Sequence, residues 1–256
     1  MDYSIIGRLQ SFKKWFEGYE DNFVIIGGTA CSLIMNEQEL DFRLTHDVDI
    51  VLLIETLDMD FGIRFWNYIK DAEYKHCQKS TGKTQFYRFY APKSKTYPEM
   101  LELFSRNIEG LILPDESLIT PVPIGDDISS LSAILLNAVY YDFLLSGIRK
   151  VEGLPILDEV HLIPFKAKAW LDLSKRKGRG ENVDSNDIRK HKRDIYRLID
   201  LISGDMRFAL PESVKIDMQE FIDDVSVTVA NTPKKEQKAE KVRLEKIIAI
   251  YELAGR

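Results

Sequence analysis

Cysteine is scarce: Cys31 and Cys77 are the only two in 256 residues. That excludes a disulfide scaffold and fits a reducing compartment. Long apolar runs are missing too. Segments such as Phe23–Ile26 and Ile50–Ile54 fall far short of the ~20 residues a membrane-spanning helix needs. The amino terminus, Met1-Asp2-Tyr3-Ser4, carries neither a basic region nor an apolar stretch, so no secretory signal is expected. Together these absences predict a cytoplasmic protein without a membrane partner. Hydrophobic residues make up 45% and charged ones 30%, which excludes a disordered or collagen-like chain.

What is present is an uneven charge. The chain has 35 Lys+Arg against 41 Asp+Glu, a net −6. Between Lys166 and Arg193, however, ten basic residues meet four acidic ones, so that segment carries +6 and the remainder −12. Such a segment is either a phosphate-binding surface, for a nucleotide or a nucleic acid, or a solvated helical face laced with ion pairs.

The hydrophobic pattern predicts a mixed first half and a helical second half, an α+β chain. Ile5 to Tyr19 reads as an amphipathic helix. Phe23–Ile26 reads as a buried strand ending at Gly27-Gly28, and Thr29 is placed to cap the helix that follows. Val48–Ile54 is a second buried strand, Asp60–Asp71 a helix, and Gln85–Tyr90 and Met100–Phe104 two half-exposed strands. After Pro121 and Pro123 come helices at Ser129–Leu145, Pro164–Lys177, Asp187–Ile202, Glu212–Val225 and Lys235–Leu253. The expected division is 1–123 and 124–256.

Three groups in the first half carry chemistry. Glycines at 27 and 28, between strand and helix, permit close backbone approach and leave helix-start N–H groups for a phosphate. Asp47 and Asp49 are two apart at the start of a strand, so both face one way. Two close carboxylates repel unless a cation lies between them, and oxygen ligands suit Mg²⁺ or Mn²⁺. Glu102 interrupts the apolar strand Met100-Leu101-Glu102-Leu103-Phe104, where a carboxylate without a partner is costly. Glu99 competes for the place of third carboxylate.

Gly27-Gly28-Thr29 followed by Arg43-Leu44-Thr45-His46-Asp47-Val48-Asp49 and a hydrophobic strand resembles the signature of the polymerase-β-type nucleotidyltransferases, and within them the AbiEii/AbiGii (MenT-like) toxins. Lys166-Ala167-Lys168 and Lys190-His191-Lys192-Arg193-Asp194 resemble that family's lysine helix and later basic-Asp motif. The insert Lys177–Asn186 is longer than the family's, and Arg197 stands where an acidic residue is common.

The resemblance implies a small mixed-sheet nucleotidyltransferase core in residues 1–123, with a helical domain completing the nucleotide cleft. It implies transfer of a nucleoside monophosphate from an NTP to a hydroxyl, with Mg²⁺ (or Mn²⁺) on Asp47, Asp49 and Glu102, and Glu102 also taking the acceptor's proton. Gly27, Gly28, Thr29, Arg43 and Thr45 would bind the nucleotide, Arg43 also locking the loop that carries the Asp pair; Lys166 or Lys168 would offset triphosphate charge, and Asp194 would orient that lysine or contact the nucleotide. A tRNA or other polyanionic acceptor, a separately encoded antitoxin acting without direct binding, and a role in antiviral defence are implied as well.

Other classes compete. Asp47-Val48-Asp49 also fits the opening motif of haloacid-dehalogenase-type phosphatases, with Gly125-Asp126-Asp127 as their late acidic motif. Those enzymes, however, put the first Asp at the carboxyl end of a strand, whereas here the strand follows. A non-catalytic nucleotide or RNA binder, and an enzyme nucleotidylating a small molecule such as an antibiotic, are the other readings.

Overall fold

In the computed structural model the described residues are 5–43, 45–53, 55–56, 58–76, 86–104, 137–230 and 234–255. Leu44, Cys77, the 125–127 motif and the first part of the helix expected from Ser129 lie outside them. The chain divides into two compact units, Met1–Leu135 with Ile148–Asp158, and Leu136–Gly147 with Glu159–Arg256.

The first unit is built on one mixed sheet. Its strands are β1 (Phe23–Ile26), β2 (Asp47–Leu52), β3 (Lys75–His76), β4 (Phe86–Tyr90), β5 (Met100–Phe104), β6 (Ile148–Val151) and β7 (Leu154–Leu157), and its helices α1 (Ile5–Trp15), α2 (Gly27–Glu37) and α3 (Met59–Asp71). Among the described residues the spatial order is β3-β4-β5-β2-β1-β7-β6. β1 runs antiparallel to β2 and parallel to β7, and β2 runs parallel to β5. Every residue of β1 is buried, as a central strand covered on both faces requires. Phe12 and Phe16 of α1 pack edge-on or tilted against Phe23, Phe61, Phe65 and Tyr68. Each such buried ring contributes roughly 1.5–3 kcal/mol. Asp58 caps α3 by accepting from the Phe61 N–H at 2.8 Å, the usual N-cap bond.

The expected division at 123 differs from this arrangement, because β6 and β7 return to the sheet from beyond it. They form a hairpin with Val151 opposite Leu154, turning through Glu152 (φ 50°) and Gly153 (φ 81°). Two left-handed residues make the two-residue turn that matches strand twist. The alternation Ile148-Arg149-Lys150-Val151 is short, and Glu-Gly is a weaker turn signal than Asn-Gly or Asp-Gly. The hairpin was therefore hidden between two strong helical stripes.

The second unit comprises helices α4 (Ala138–Ser146), α5 (Glu159–Gly178), α6 (Ser185–Leu201), α7 (Glu212–Ala230) and α8 (Lys234–Ile250). α5 starts five residues earlier than expected and keeps Pro164 in its interior. Proline cannot bond the carbonyl four residues back, here that of Val160. The buried Tyr251 hydroxyl donates to that carbonyl at 2.8 Å and so replaces the missing donor.

Candidate active site

β2 and β5 lie side by side in register, with Asp47 opposite Met100 and Asp49 opposite Glu102. Residues directly opposite share a face, and so do residues two apart. Asp47, Asp49 and Glu102 therefore lie on one face of the sheet. Asp47 and Asp49 are half-buried, and Glu102 is buried at 8% exposure.

Gly27 explains the position of Asp49. Ile26 pairs with Asp49 across β1 and β2, which brings the first residue of α2 over the Asp49 carboxylate. A Cβ on Gly27 would stand 1.8 Å from Asp49 Oδ2, and its φ is +68°. Both the space and the backbone angle therefore demand glycine. One residue on, a Cβ at Gly28 would stand 3.0 Å from an Arg43 guanidinium nitrogen and 3.1 Å from Thr45 Cγ2. Arg43 donates to Thr45 Oγ1 at 3.4 Å and lies over the Phe42 ring. The two glycines thus sit against two groups expected in the site, a carboxylate and a guanidinium.

Thr29 does not cap α2. Ile26 occupies the N-cap position and makes no side-chain cap. Thr29, fully buried, donates to the Asp47 backbone carbonyl at 2.6 Å. The reason is geometric: the helix begins two residues earlier, so Thr29 falls on its inner side and ties α2 to the start of β2. Its hydroxyl proton is committed to the backbone.

Glu99 and Glu102 separate cleanly. Glu99 pairs with Arg8 at 2.5 Å and with His46 Nδ1 at 2.9 Å. Burial raises its pKa, but the hydrogen bond and charge of Arg8, with help from His46, outweigh that and lower it. Glu102 faces Asp49 and pairs with Arg88, the residue opposite it on β4. Arg88 Nε and Nη2 reach Glu102 Oε1 at 2.8 and 2.7 Å. The cost of a carboxylate inside β5 is thus offset by an arginine that sequence reading missed. Its signal is the single charge in Phe86-Tyr87-Arg88-Phe89-Tyr90. Among the described residues no group of three or more His, Cys, Asp or Glu is gathered into a ready-made metal cage. The carboxylates share a face, and Glu102 is paired with Arg88. Three oxygen-donor side chains on adjacent strands are of the type that suits a hard divalent ion.

The second-half residues belong to the helical unit. Lys166 Nζ donates to Asp194 Oδ2 at 2.8 Å, and the two side chains are 5% and 1% exposed. Lys168 Nζ donates to Asp217 Oδ1 at 2.6 Å, while the Tyr140 hydroxyl donates to Asp217 Oδ2 at 2.9 Å. Burial, then the Asp217 charge, push the Tyr140 hydroxyl far above its ordinary pKa. Of the two candidate lysines, Asp194 holds Lys166. The basic segment is largely answered within the helical unit, by Lys175–Glu220, Arg176–Glu181, Arg179–Glu181, Lys190–Asp187 and Lys192–Glu240. Much of its excess charge is therefore a salt-bridged helical surface.

No helix among the described residues is long and apolar enough to cross a membrane. No family model matches the chain, and no curated protein does. Among solved structures it is similar to an antigenic nucleotidyltransferase-like protein from Paracoccidioides brasiliensis, at 13% identity over 97% of this chain and 98% of that one, with a TM-score of 0.50. At that identity the likeness concerns the fold alone: a mixed α+β sheet with a helical carboxyl-terminal half.

Proposed function

We propose that the protein is a nucleotidyltransferase, moving a nucleoside monophosphate from an NTP to a hydroxyl and releasing pyrophosphate. The observation that carries this reading is the register that sets Glu102 beside Asp49, on the face shared with Asp47 and against the Gly27 turn. Asp47, Asp49 and Glu102 would hold Mg²⁺, or Mn²⁺ in its place. When bound, the ion neutralises triphosphate charge and orients an in-line displacement.

The chain's own residues supply the rest. The acceptor oxygen bonds to the α-phosphorus as the bond to the pyrophosphate oxygen breaks, and the acceptor's proton passes to Glu102. The N–H groups at the start of α2, around Gly28, and the Arg43 guanidinium beside them receive the phosphates. Thr45 orients Arg43, and Thr29 holds β2 in place through the Asp47 carbonyl. Lys166 and Lys168 are committed within the helical unit, to Asp194 and Asp217. The resemblance to AbiEii/AbiGii toxins supports tRNA as acceptor, a separately encoded antitoxin that need not touch this chain, and a part in phage defence.

One observation weighs against a phosphatase. β2 begins at Asp47, so the Asp pair opens the strand, whereas a phosphoaspartate enzyme needs it at the strand's end.

The test is incubation with each α-³²P-labelled NTP, Mg²⁺ and total tRNA. Label transferred to RNA, and lost in Asp49→Asn, is the expected result. Nucleotide binding without label transfer to tRNA or any small-molecule acceptor would favour a non-catalytic binder.

A further inference from the structure

The geometry points to Arg88 as a resident counter-cation of the carboxylate site, one that holds Glu102 until a polyphosphate arrives and then passes to the phosphates. This inference rests on the metal-site reading above and deepens it: the divalent ion and the triphosphate bind as coupled ligands.

Three observations carry it. Arg88 and Glu102 are opposite each other on β4 and β5, with the guanidinium Nε and Nη2 both reaching Oε1. The pair is lopsided: the Glu102 side chain is 10% exposed and that of Arg88 37%. The carboxylate is thus buried in the sheet, while the cation is partly exposed to solvent. Finally, Glu102 is also the residue opposite Asp49 on β2, so the carboxylate that Arg88 holds is one of the three that share the face. A guanidinium on a carboxylate and a divalent ion on the same carboxylate repel, so each disfavours the other. A triphosphate relieves the conflict, because its fork-like oxygens are a better partner for arginine than a shared carboxylate. No bond is made or broken; one ion pair is exchanged for another.

The experiment is titration of the full-length protein with Mn²⁺ alone, followed by electron paramagnetic resonance. A second titration uses preformed Mn²⁺–tripolyphosphate, which needs no choice of nucleobase. Arg88→Gln is expected to bind Mn²⁺ alone about tenfold more tightly than wild type, within the usual span of coupling between two ligands. It should bind the tripolyphosphate complex more weakly, and Arg88→Lys should behave like wild type in the first titration. In thermal melts, Mn²⁺ should stabilise Arg88→Gln more than wild type. Unchanged or weaker Mn²⁺ binding by Arg88→Gln overturns the inference. A further readout does not depend on that variant folding. In wild-type protein the ¹⁵Nε signal of Arg88, assigned by its loss in Arg88→Lys, should shift with Mg²⁺–tripolyphosphate and not with Mg²⁺ alone. Equal shifts, or none, overturn it as well. Asp49→Asn separates the two failures. If it binds Mn²⁺ as wild type does, the metal site itself is misplaced and the inference goes with it. If it loses Mn²⁺ while Arg88→Gln matches wild type, only the role of Arg88 falls.

Discussion

Each unit of the molecule holds a buried carboxylate against a cation, and the two pairs differ in one respect. In the helical unit Lys166 and Asp194 are both sealed, at 5% and 1% side-chain exposure. In the sheet unit Glu102 is nearly as buried, at 10%, but Arg88 is 37% exposed. A sealed pair lies out of reach of water and arriving ions, and breaking one half leaves a charge in a low dielectric. A pair with one partner at the surface can be exchanged, because water and arriving ions reach the cation. Burial of the carboxylate alone therefore does not separate a structural ion pair from a binding site; the exposure of its partner does.

The largest effect should come from opening the sealed pair. Lys166→Met leaves Asp194 buried without its lysine and is expected to cost about 3–5 kcal/mol, read from urea midpoints. Adding Asp194→Leu should restore much of it. Arg88→Gln should cost distinctly less, because its cation is partly in water. Equal losses would erase the contrast.

Activity comes next. Asp49→Asn should lower nucleotidyl transfer at least about a hundredfold, equivalent to ~2.7 kcal/mol of transition-state stabilisation, with the melting temperature little changed. Gly27→Ala tests the support beneath that carboxylate. A left-handed alanine costs about 1–3 kcal/mol, and its methyl would displace Asp49, so stability and Mn²⁺ binding should fall together. Similar in size, Tyr251→Phe leaves the Val160 carbonyl without its donor. It should cost about 1–3 kcal/mol in the helical unit, without altering Mn²⁺ binding.

The smallest effect is a pH dependence at Glu99. Its pKa is lowered in the folded protein, because Arg8 and His46 outweigh the effect of burial. The stabilisation is therefore present above the unfolded carboxylate's ordinary value of 4.5. It is lost as pH falls through the lowered folded value. The melting difference between wild type and Glu99→Gln should be small near neutrality and vanish in acid. A difference that grows in acid would contradict the pairing.

Much of the sheet unit was legible because local rules and tertiary packing agree there. β1 and β5 have the bounds that the apolar runs predict, and Asp47 and Asp49 share a face because a strand's period is two. The neighbour of Asp49 was also readable, since Glu102 is the only charge in its strand. What could not be read were partnerships fixed by register. Nothing local says that Arg88 stands opposite Glu102, that Thr29 reaches the Asp47 carbonyl, or that Asp194 takes Lys166 and leaves Lys168 to Asp217. The β6–β7 hairpin was missed for a related reason, as its strands gain their meaning only by pairing with β1.

The most direct measurement is the anomalous difference map of crystals grown with Mn²⁺ and a non-hydrolysable NTP. The expected result is a peak about 2.0–2.3 Å from oxygens of Asp47, Asp49 and Glu102, with the Arg88 guanidinium withdrawn from Glu102 and turned to the phosphates. A nucleotide bound elsewhere, or one bound with no metal peak at these three carboxylates, would contradict it.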